Sequence, residues 1–225
     1  MRTGLPVRLE CREYGDAAVL VDVLGENYEE RWSVTQSIGR SLRRDSPPGV
    51  LDLVASYQNI VVLFDPLVTD ADAIAAAVRR FAHQPRPLRA GKVHEISVVY
   101  GGDHGPDLDA VAAELGLESR DVVDLHASTE WMVRFIGSPA GAPMLDGWSV
   151  PAGVSRLSQP RGRVEPGSVG VSGLQSTIYN APSPGGWRLI GRTPQLLFDM
   201  DRVPPVSYRP GDRIRFIPVE GWHGN

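Results

Sequence analysis

The sequence predicts an α+β protein with two domains, a small ferredoxin-like α/β sandwich over residues 1–90 and a β-barrel over residues 91–225. In the first part, the predicted elements run in the order strand, helix, strand, strand, helix, which is typical of a split βαβ unit. In the second part, many short strands are joined by turns rich in glycine and proline, which is typical of a barrel. Residues 85–91, with the sequence PRPLRAG, have the composition of a linker.

Hydrophobic periodicity and capping residues define the elements of the first domain. Asn27 is a suitable N-cap for its first helix, and Thr69 or Asp70 for its second. The pattern predicts a strand at 17–23, a helix at 28–43, a hairpin of strands at 50–55 and 59–64, and a helix at 72–82.

The second domain shows alternating apolar runs separated by loops, with two short helical segments near its start. The helices are predicted at about 107–115 and 119–127. Strands are predicted at 93–100, 130–136, 168–172, 187–190 and 213–218.

The charge, the cysteine count and the length of the apolar runs exclude several classes of protein. The net charge of -4 and a pI near 5.7 argue against nucleic acid as the main partner. Cys11 is the single cysteine, so no intramolecular disulfide can form. The start has no secretory pattern, and no apolar run reaches the roughly 18 residues of a membrane span. The sequence therefore predicts a soluble, cytoplasmic protein.

The sequence lacks the common motifs for nucleotide binding and for a catalytic serine. The sequence has no Walker-type phosphate loop, no dinucleotide-binding glycine pattern and no Gly-x-Ser-x-Gly nucleophile elbow. Its five histidines are scattered without the spacing of metal ligands. We therefore expect no metal site and no ATP loop in this chain.

Residues 164–194 are the densest in glycine and proline, and they also carry amide, hydroxyl and guanidinium groups. This pattern predicts a barrel wall interrupted by a polar, glycine-lined loop. Five side chains are expected to converge there: Gln175, Tyr179, Ser183, Arg188 and Arg192. The alternative is an ordinary connection between strands, since loops of this composition are common in all-β domains.

These groups offer hydrogen-bond and electrostatic chemistry. Gln175 can orient a carboxamide or carbonyl, and the hydroxyls of Tyr179 and Ser183 can donate hydrogen bonds. Arg192 can bind a carboxylate or phosphate with two parallel hydrogen bonds. The backbone amides of Gly185–Gly186 can support an oxyanion if they point inward.

His126 is the candidate general acid or base, and it lies near the end of a predicted helix. The alternative is a histidine that packs or faces water, because no partner residue is adjacent in sequence. The strand that follows runs into a Gly/Pro loop at residues 137–143, and strands that end in such loops often carry sites.

The chain resembles the bacterial family of the 5-oxoprolinase B subunit, also called allophanate hydrolase subunit 1, which includes a sporulation-kinase inhibitor. The resemblance covers nearly the whole chain, and its most specific part is the run SPGGWRLIGRTP at Ser183–Pro194. The other matching segments are 14–16, 48–50, 105–108, 111–112, 125–126, 160–161, 166–170, 175–179, 210–213 and 215–216.

This resemblance implies a cyclophilin-like C-terminal barrel and hydrolysis of a cyclic or linear amide with ATP. It also implies a second cyclophilin-like subunit as the partner that completes the site (the C subunit, also called allophanate hydrolase subunit 2), and possibly a third subunit. ATP would then act at the level of the complex. Carried onto this chain, the catalytic candidates are His126 and Gln175. The substrate-binding candidates are Tyr179, Ser183, Gly185, Gly186, Arg192, Thr193, Gly137 and Pro139.

The chain departs from the family pattern at residues 136–144. Family members usually carry Gly-Phe-x-Pro-Gly-Phe-x-Tyr there, whereas this chain has Gly137 and Pro139 in approximate register but neither phenylalanine. Asn180 also replaces the proline expected after Tyr179. The lost aromatics suggest a wider pocket, a different substrate or weakened activity. They leave open a second reading, a regulatory protein-binding module without catalysis.

Overall fold

The computed structural model describes residues 7–83, 91–137, 139–150 and 152–221. The chain divides into two units, Met1–Arg89 and Ala90–Asn225, and each has its own hydrophobic core. Except for Gly91, the predicted linker at 85–91 lies outside the described residues.

The first unit is a four-stranded antiparallel sheet with two helices. Its elements are β1 (Arg8–Glu13), β2 (Ala18–Leu24), α1 (Tyr28–Arg44), β3 (Val50–Ala55), β4 (Asn59–Phe64) and α2 (Ala71–Ala82). The strand order is β1-β2-β4-β3, so β4 lies between the two strands that α1 connects. This is the split βαβ arrangement that the sequence predicts.

α1 begins at the predicted residue and α2 one residue before its predicted start, and both have a predicted N-cap residue. The side chain of Asn27 accepts a hydrogen bond from the Glu30 backbone N–H, and Asp70 accepts one from Ala73. Burying the apolar faces of both helices against the sheet contributes about 1.5–3 kcal/mol for each large side chain.

The second unit is a closed seven-stranded barrel with two helices of its own. Its strands are β5 (Val93–Tyr100), β6 (Trp131–Gly137), β7 (Ala142–Asp146), β8 (Arg161–Val164), β9 (Ser168–Ser172), β10 (Gln175–Ile178), β11 (Ser183–Gly185), β12 (Arg188–Arg192) and β13 (Arg213–Pro218). Its helices are α3 (Leu108–Leu115) and α4 (Ser119–Ser128), preceded by a 3₁₀ turn at Gly102–His104. The barrel order is β10-β7-β6-β13-β5-β12-β9, and β8 pairs with β11 outside it. The predicted α+β class with a barrel is therefore confirmed.

The prediction of a polar loop at 175–180 is wrong for its first four residues, because Gln175–Ile178 forms β10. Ser176 and Ile178 are fully buried in the barrel, and Ile178 belongs to its apolar core. Gln175 and Thr177 point to the other side, since neighbouring residues of a strand face opposite ways. A strand with polar residues outward and a serine inward has no clear apolar alternation, so the sequence pattern hides it.

Candidate functional site

A cleft of about 210 Å³ lies on the barrel unit beside the turn that joins β6 to β7, and we call it the hairpin cleft. Its walls come from that turn, from β10 and the residue after it, and from β11 with the turn into β12. Of the predicted site residues it is lined by Pro139, Tyr179, Ser183, Gly185 and Gly186. The other lining residues are Ala142, Met144, Arg156, Thr177, Pro184 and Trp187.

The Tyr179 ring is held in the cleft by two glycines. A Cβ on Gly185 would lie 2.5 Å from the Tyr179 hydroxyl oxygen, and one on Gly170 would lie 3.1 Å from its Cε2 atom. Burial raises the pKa of Tyr179, while a hydrogen bond from the Trp187 backbone and the charge of Arg156 act in the opposite direction. The phenol therefore stays protonated at neutral pH and can donate its hydrogen.

Ser183 and Arg156 add polar groups to the same cleft. The Ser183 Oγ atom is buried and has no hydrogen-bond partner among the described residues. The Arg156 side chain is exposed, and a Cβ on Gly186 would lie 3.2 Å from its Nη2 atom. The cleft thus joins a cation and an unsatisfied hydroxyl to the tyrosine.

Gln175 stands next to this cleft on the outward face of β10, two residues before Thr177. Its Nε2 donates to Asp146 Oδ1 at 2.9 Å, and Arg134 Nε donates to the other oxygen of that carboxylate at 3.1 Å. Arg134 is only 7% exposed, so the guanidinium and the carboxylate are held in a partly buried pair. These contacts fix the orientation of the Gln175 carboxamide.

His126 lies in the interior of the barrel and does not line the hairpin cleft. Its Nε2 is 3.0 Å from Ser176 Oγ and its Nδ1 is 2.8 Å from the Tyr100 hydroxyl oxygen. Because the Ser176 hydroxyl donates to the Gly170 carbonyl, its oxygen accepts from Nε2–H and Tyr100 donates to Nδ1.

The surroundings of this ring keep it neutral. Phe216 stacks on it with ring centres 4.6 Å apart, and Trp131 lies 4.9 Å away. Burial lowers the pKa of His126 to about 3. A proton transfer from this ring to a substrate in the hairpin cleft would need the ring to leave its position, so the geometry supports the alternative reading of a packed histidine. The catalytic role stays a prediction.

Arg192 and Thr193 line a different, smaller cleft of about 150 Å³, which also includes Asn180. Arg192 Nε donates to the Pro166 carbonyl at 2.9 Å. Arg188 lines neither cleft and donates to the Ser155 carbonyl at 3.2 Å. The structure thus brings together Tyr179 and Ser183 of the predicted convergent group but separates both arginines from them.

Gly137 ends β6 and pairs with Ala142 across the hairpin whose family aromatics are missing. The Asn180 side-chain amide donates to the carbonyls of Ala140 and Gly141, at 2.9 and 3.0 Å. The asparagine that replaces the family's proline therefore holds this turn in place. Gly137 does not line the hairpin cleft, although Pro139 does.

The sequence pattern did not single out Arg156, Thr177 or Met144 as site residues. Arg156 stands in the connection between β7 and β8, and Met144 lies at the position of the final tyrosine in the family pattern for residues 136–144. Departure from the family motif was the available signal for Met144. For Arg156 there was none, because its place beside Gly186 depends on how the barrel closes.

Among the described residues, no group of histidine, cysteine, aspartate or glutamate side chains is arranged to hold a metal ion. Within the same part of the chain, no helix is both long and apolar enough to cross a membrane.

Comparison with known proteins identifies the family. The sequence model of the protein family called carboxyltransferase domain, subdomain C and D, matches residues 9–208 of this chain. The chain is 37% identical to the 5-oxoprolinase B subunit of Escherichia coli O157:H7 over 216 residues, which is 94% of this chain and 96% of that protein. It is 29% identical to the 5-oxoprolinase B subunit of Bacillus subtilis over 229 residues, covering 96% of this chain and 95% of the relative.

Solved structures show the same fold. The crystal structure of the protein TTHA0988 superimposes with a TM-score of 0.77 at 33% identity, covering 92% of this chain and 41% of that one. The urea amidolyase of K. lactis superimposes with a TM-score of 0.73 at 19% identity, covering 96% of this chain and 15% of that one. The family model and the relatives at high coverage show that the chain belongs to the carboxyltransferase subdomain C and D family, together with the B subunits of 5-oxoprolinase.

Proposed function

We propose that this chain is a cytoplasmic subunit of an ATP-dependent amide hydrolase of the 5-oxoprolinase type. Its hairpin cleft binds the amide, and a second cyclophilin-like subunit completes the site. The observation that carries the proposal is the set of groups in the cleft. A protonated phenol, a buried hydroxyl without a partner among the described residues and a guanidinium surround a space of about 210 Å³, which suits a small polar amide.

The relatives support the reaction class. Two proteins that match nearly the whole chain are B subunits of 5-oxoprolinase, and a urea amidolyase shares the fold. The first name refers to 5-oxoproline, a cyclic amide, and the second to urea, a linear one. ATP would be supplied and used at the level of the complex, since the sequence has no phosphate-binding loop of its own.

Hydrogen bonding gives each cleft residue a role. The Tyr179 O–H can donate to the amide carbonyl, and Thr177 and Ser183 flank the same space. The Gly185–Gly186 backbone amides keep their predicted role of stabilising negative charge on that oxygen. Gln175 is oriented by Asp146 and lies on the same face of β10 as Thr177. A substrate that extends from the hairpin cleft along this face can form a hydrogen bond with the Gln175 carboxamide.

To test the proposal, we would purify this chain with its partner subunits and measure ATP hydrolysis that depends on 5-oxoproline. Tyr179→Phe keeps the ring between its glycines but removes the donor, so kcat/KM should fall about 10- to 100-fold. Tyr14→Phe is the matched control, because Tyr14 is 61% exposed in the other unit. Equal kcat/KM for Tyr179→Phe and wild type would contradict the assignment of the cleft.

A second candidate function is a regulatory protein-binding module. Besides the missing family aromatics, three apolar side chains project from the connection between β12 and β13. Leu196 is 74% exposed, Met200 is 76% exposed and Val203 is 99% exposed. Such side chains are suited to a protein contact. This function predicts a bound protein partner that Met200→Asp with Val203→Asp releases, and no amide turnover with any set of subunits.

A further inference from the structure

The hairpin cleft has a single sign of charge. Of its described lining residues, Arg156 alone carries a formal charge at neutral pH, and no aspartate or glutamate lines the cleft. No hydrogen bond or ion pair joins the Arg156 guanidinium to another described residue, whereas Arg161 and Arg163, on the next strand, each pair with a carboxylate. A cation left without an internal partner at the wall of a cleft is suited to an anionic ligand.

The cleft geometry presents this guanidinium to a ligand. A Cβ on Gly186 would lie 3.2 Å from Arg156 Nη2 and 3.4 Å from its Nε, so the arginine head lies directly against the glycine backbone. A side chain on residue 186 would therefore push the Arg156 guanidinium away from the place it occupies. Arg156 and Tyr179 line the same cleft, and the positive charge of Arg156 acts to lower the pKa of the Tyr179 phenol against the larger effect of burial.

Ser183 supplies the second half of the site. Its Oγ atom is buried without a hydrogen-bond partner among the described residues, and a hydroxyl in that state is normally satisfied by water or a ligand. A carboxylate can accept from a guanidinium and from a hydroxyl at the same time, because each oxygen has two lone pairs. Arg156 and Ser183 line the same small space, so one carboxylate can use both.

On the basis of the proposed function, we propose that Arg156 is the specificity-determining residue of the hairpin cleft: with Ser183 it binds the carboxylate of the substrate and so selects carboxylated amides over neutral ones. This transfers to Arg156 the carboxylate-binding role that the sequence assigned to Arg192, whose Nε is committed to the Pro166 carbonyl in the other cleft. A cyclic amide with a carboxylate next to its ring nitrogen has the required chemistry, and urea does not.

The test uses two probes that differ only in the carboxylate, L-5-oxoproline and 2-pyrrolidinone, and the complete complex of this chain with its partner subunits. Equilibrium binding of each probe is measured by calorimetry, alongside the ATP hydrolysis that each one induces. Wild type should bind L-5-oxoproline about 10- to 100-fold more tightly than 2-pyrrolidinone, as expected for charge-assisted hydrogen bonds. Arg156→Gln should bind both probes with nearly equal affinity, and Arg156→Lys should recover part of the preference.

Controls separate this proposal from simple loss of structure. Arg120→Gln changes an arginine whose side chain is 90% exposed on α4 and should keep the full preference. Ser183→Ala should weaken L-5-oxoproline binding but not that of 2-pyrrolidinone. An unchanged preference in Arg156→Gln, or a wild-type complex that binds neither probe, would overturn the assignment. Preferential binding of the acid without any ATP hydrolysis would instead refute the proposed function and leave the carboxylate site standing.

Discussion

At the scale of single residues, His126 shows how burial changes what a side chain can do. The ring has no exposed surface, both of its nitrogens are hydrogen-bonded, and four aromatic residues pack around it. The Trp131 indole N–H also donates to the His126 carbonyl at 2.9 Å. These contacts tie α4 to the barrel interior and make the neutral imidazole part of the core.

This burial predicts a pH dependence of stability. The pKa of His126 is about 3 in the folded chain, against 6.5 as its ordinary value, so the unfolded chain binds the extra proton between these two pH values. Stability should therefore fall as the pH drops from 6.5 towards 3, by about 1.4 kcal/mol per pH unit from this residue alone.

His126→Gln removes that titration, and chemical denaturation between pH 7 and pH 4 measures the difference. The free energy of unfolding of the variant should be lower at pH 7 by about 2–4 kcal/mol, because packing and hydrogen bonds are lost. Its decline with acid should be shallower than that of wild type. Parallel curves for the two proteins would show that His126 is not buried in the neutral state.

From the sequence, the chemical groups needed for a site could be predicted more readily than which residues lie together in one cleft. Tyr179 and Ser183 were predicted because hydroxyls stood beside a glycine turn, and both line the cleft. Arg192 has the right chemistry for a carboxylate, but the register of β12 sends it to a different cleft. Arg156 could not be predicted, because its proximity to Gly186 joins residues far apart along the chain.

At the scale of elements, the turn between β6 and β7 depends on one side chain from outside it. Asn180 is 9% exposed and donates to the carbonyls of Ala140 and Gly141, and Ala140 itself has a positive φ of 54°. A non-glycine residue costs about 1–2 kcal/mol in this left-handed region, so the turn needs support. The Tyr208 hydroxyl, which also donates to Gly141, adds to it.

Asn180→Ala should therefore loosen this turn more than it changes the rest of the barrel. We expect a loss of about 1–3 kcal/mol, because the Ala140 carbonyl loses its side-chain donor and the Gly141 carbonyl keeps only that of Tyr208. Hydrogen exchange of the Ala142 amide, which donates to Pro139, should accelerate, while the Val133 amide within β6 should keep its protection. Ala140→Gly in the Asn180→Ala background should recover part of the loss. Uniform acceleration across the barrel would mean that Asn180 acts on global stability instead.

The elements themselves were predicted where apolar periodicity was strong and missed where it was weak. Both helices of the first unit and the strands β5 and β13 follow clear periods in the sequence. β1 was not predicted, because four of the six residues in its sequence RLECRE are charged and only Leu9 and Cys11 are apolar. Charged residues are common on edge strands, where they discourage pairing with another chain, so this strand has the composition of a loop.

At the scale of the whole molecule, long-range pairing makes the barrel. β5 and β13 stand near the two ends of the second unit and run parallel in register, Arg213 beside Val93 and Pro218 beside Val98. Asp212, which is 2% exposed, accepts hydrogen bonds from the Lys92 backbone and the His94 ring, and this fixes the closure. No local sequence signal specifies such a pairing, although the family motif at residues 210–213 leads directly into β13.

The closed barrel predicts that residues 91–225 fold without the first unit. All seven strands of the barrel and its core of apolar side chains, including Phe216 and Ile178, come from this segment. Expressed alone, it should give a dispersed amide NMR spectrum and a single cooperative unfolding transition. Phe216→Ala, which empties the space beside His126, should lower its stability by about 3–5 kcal/mol and serves as the sensitivity control. A collapsed spectrum for the isolated segment, with a dispersed one for the full chain, would show that the barrel core is not sufficient for folding.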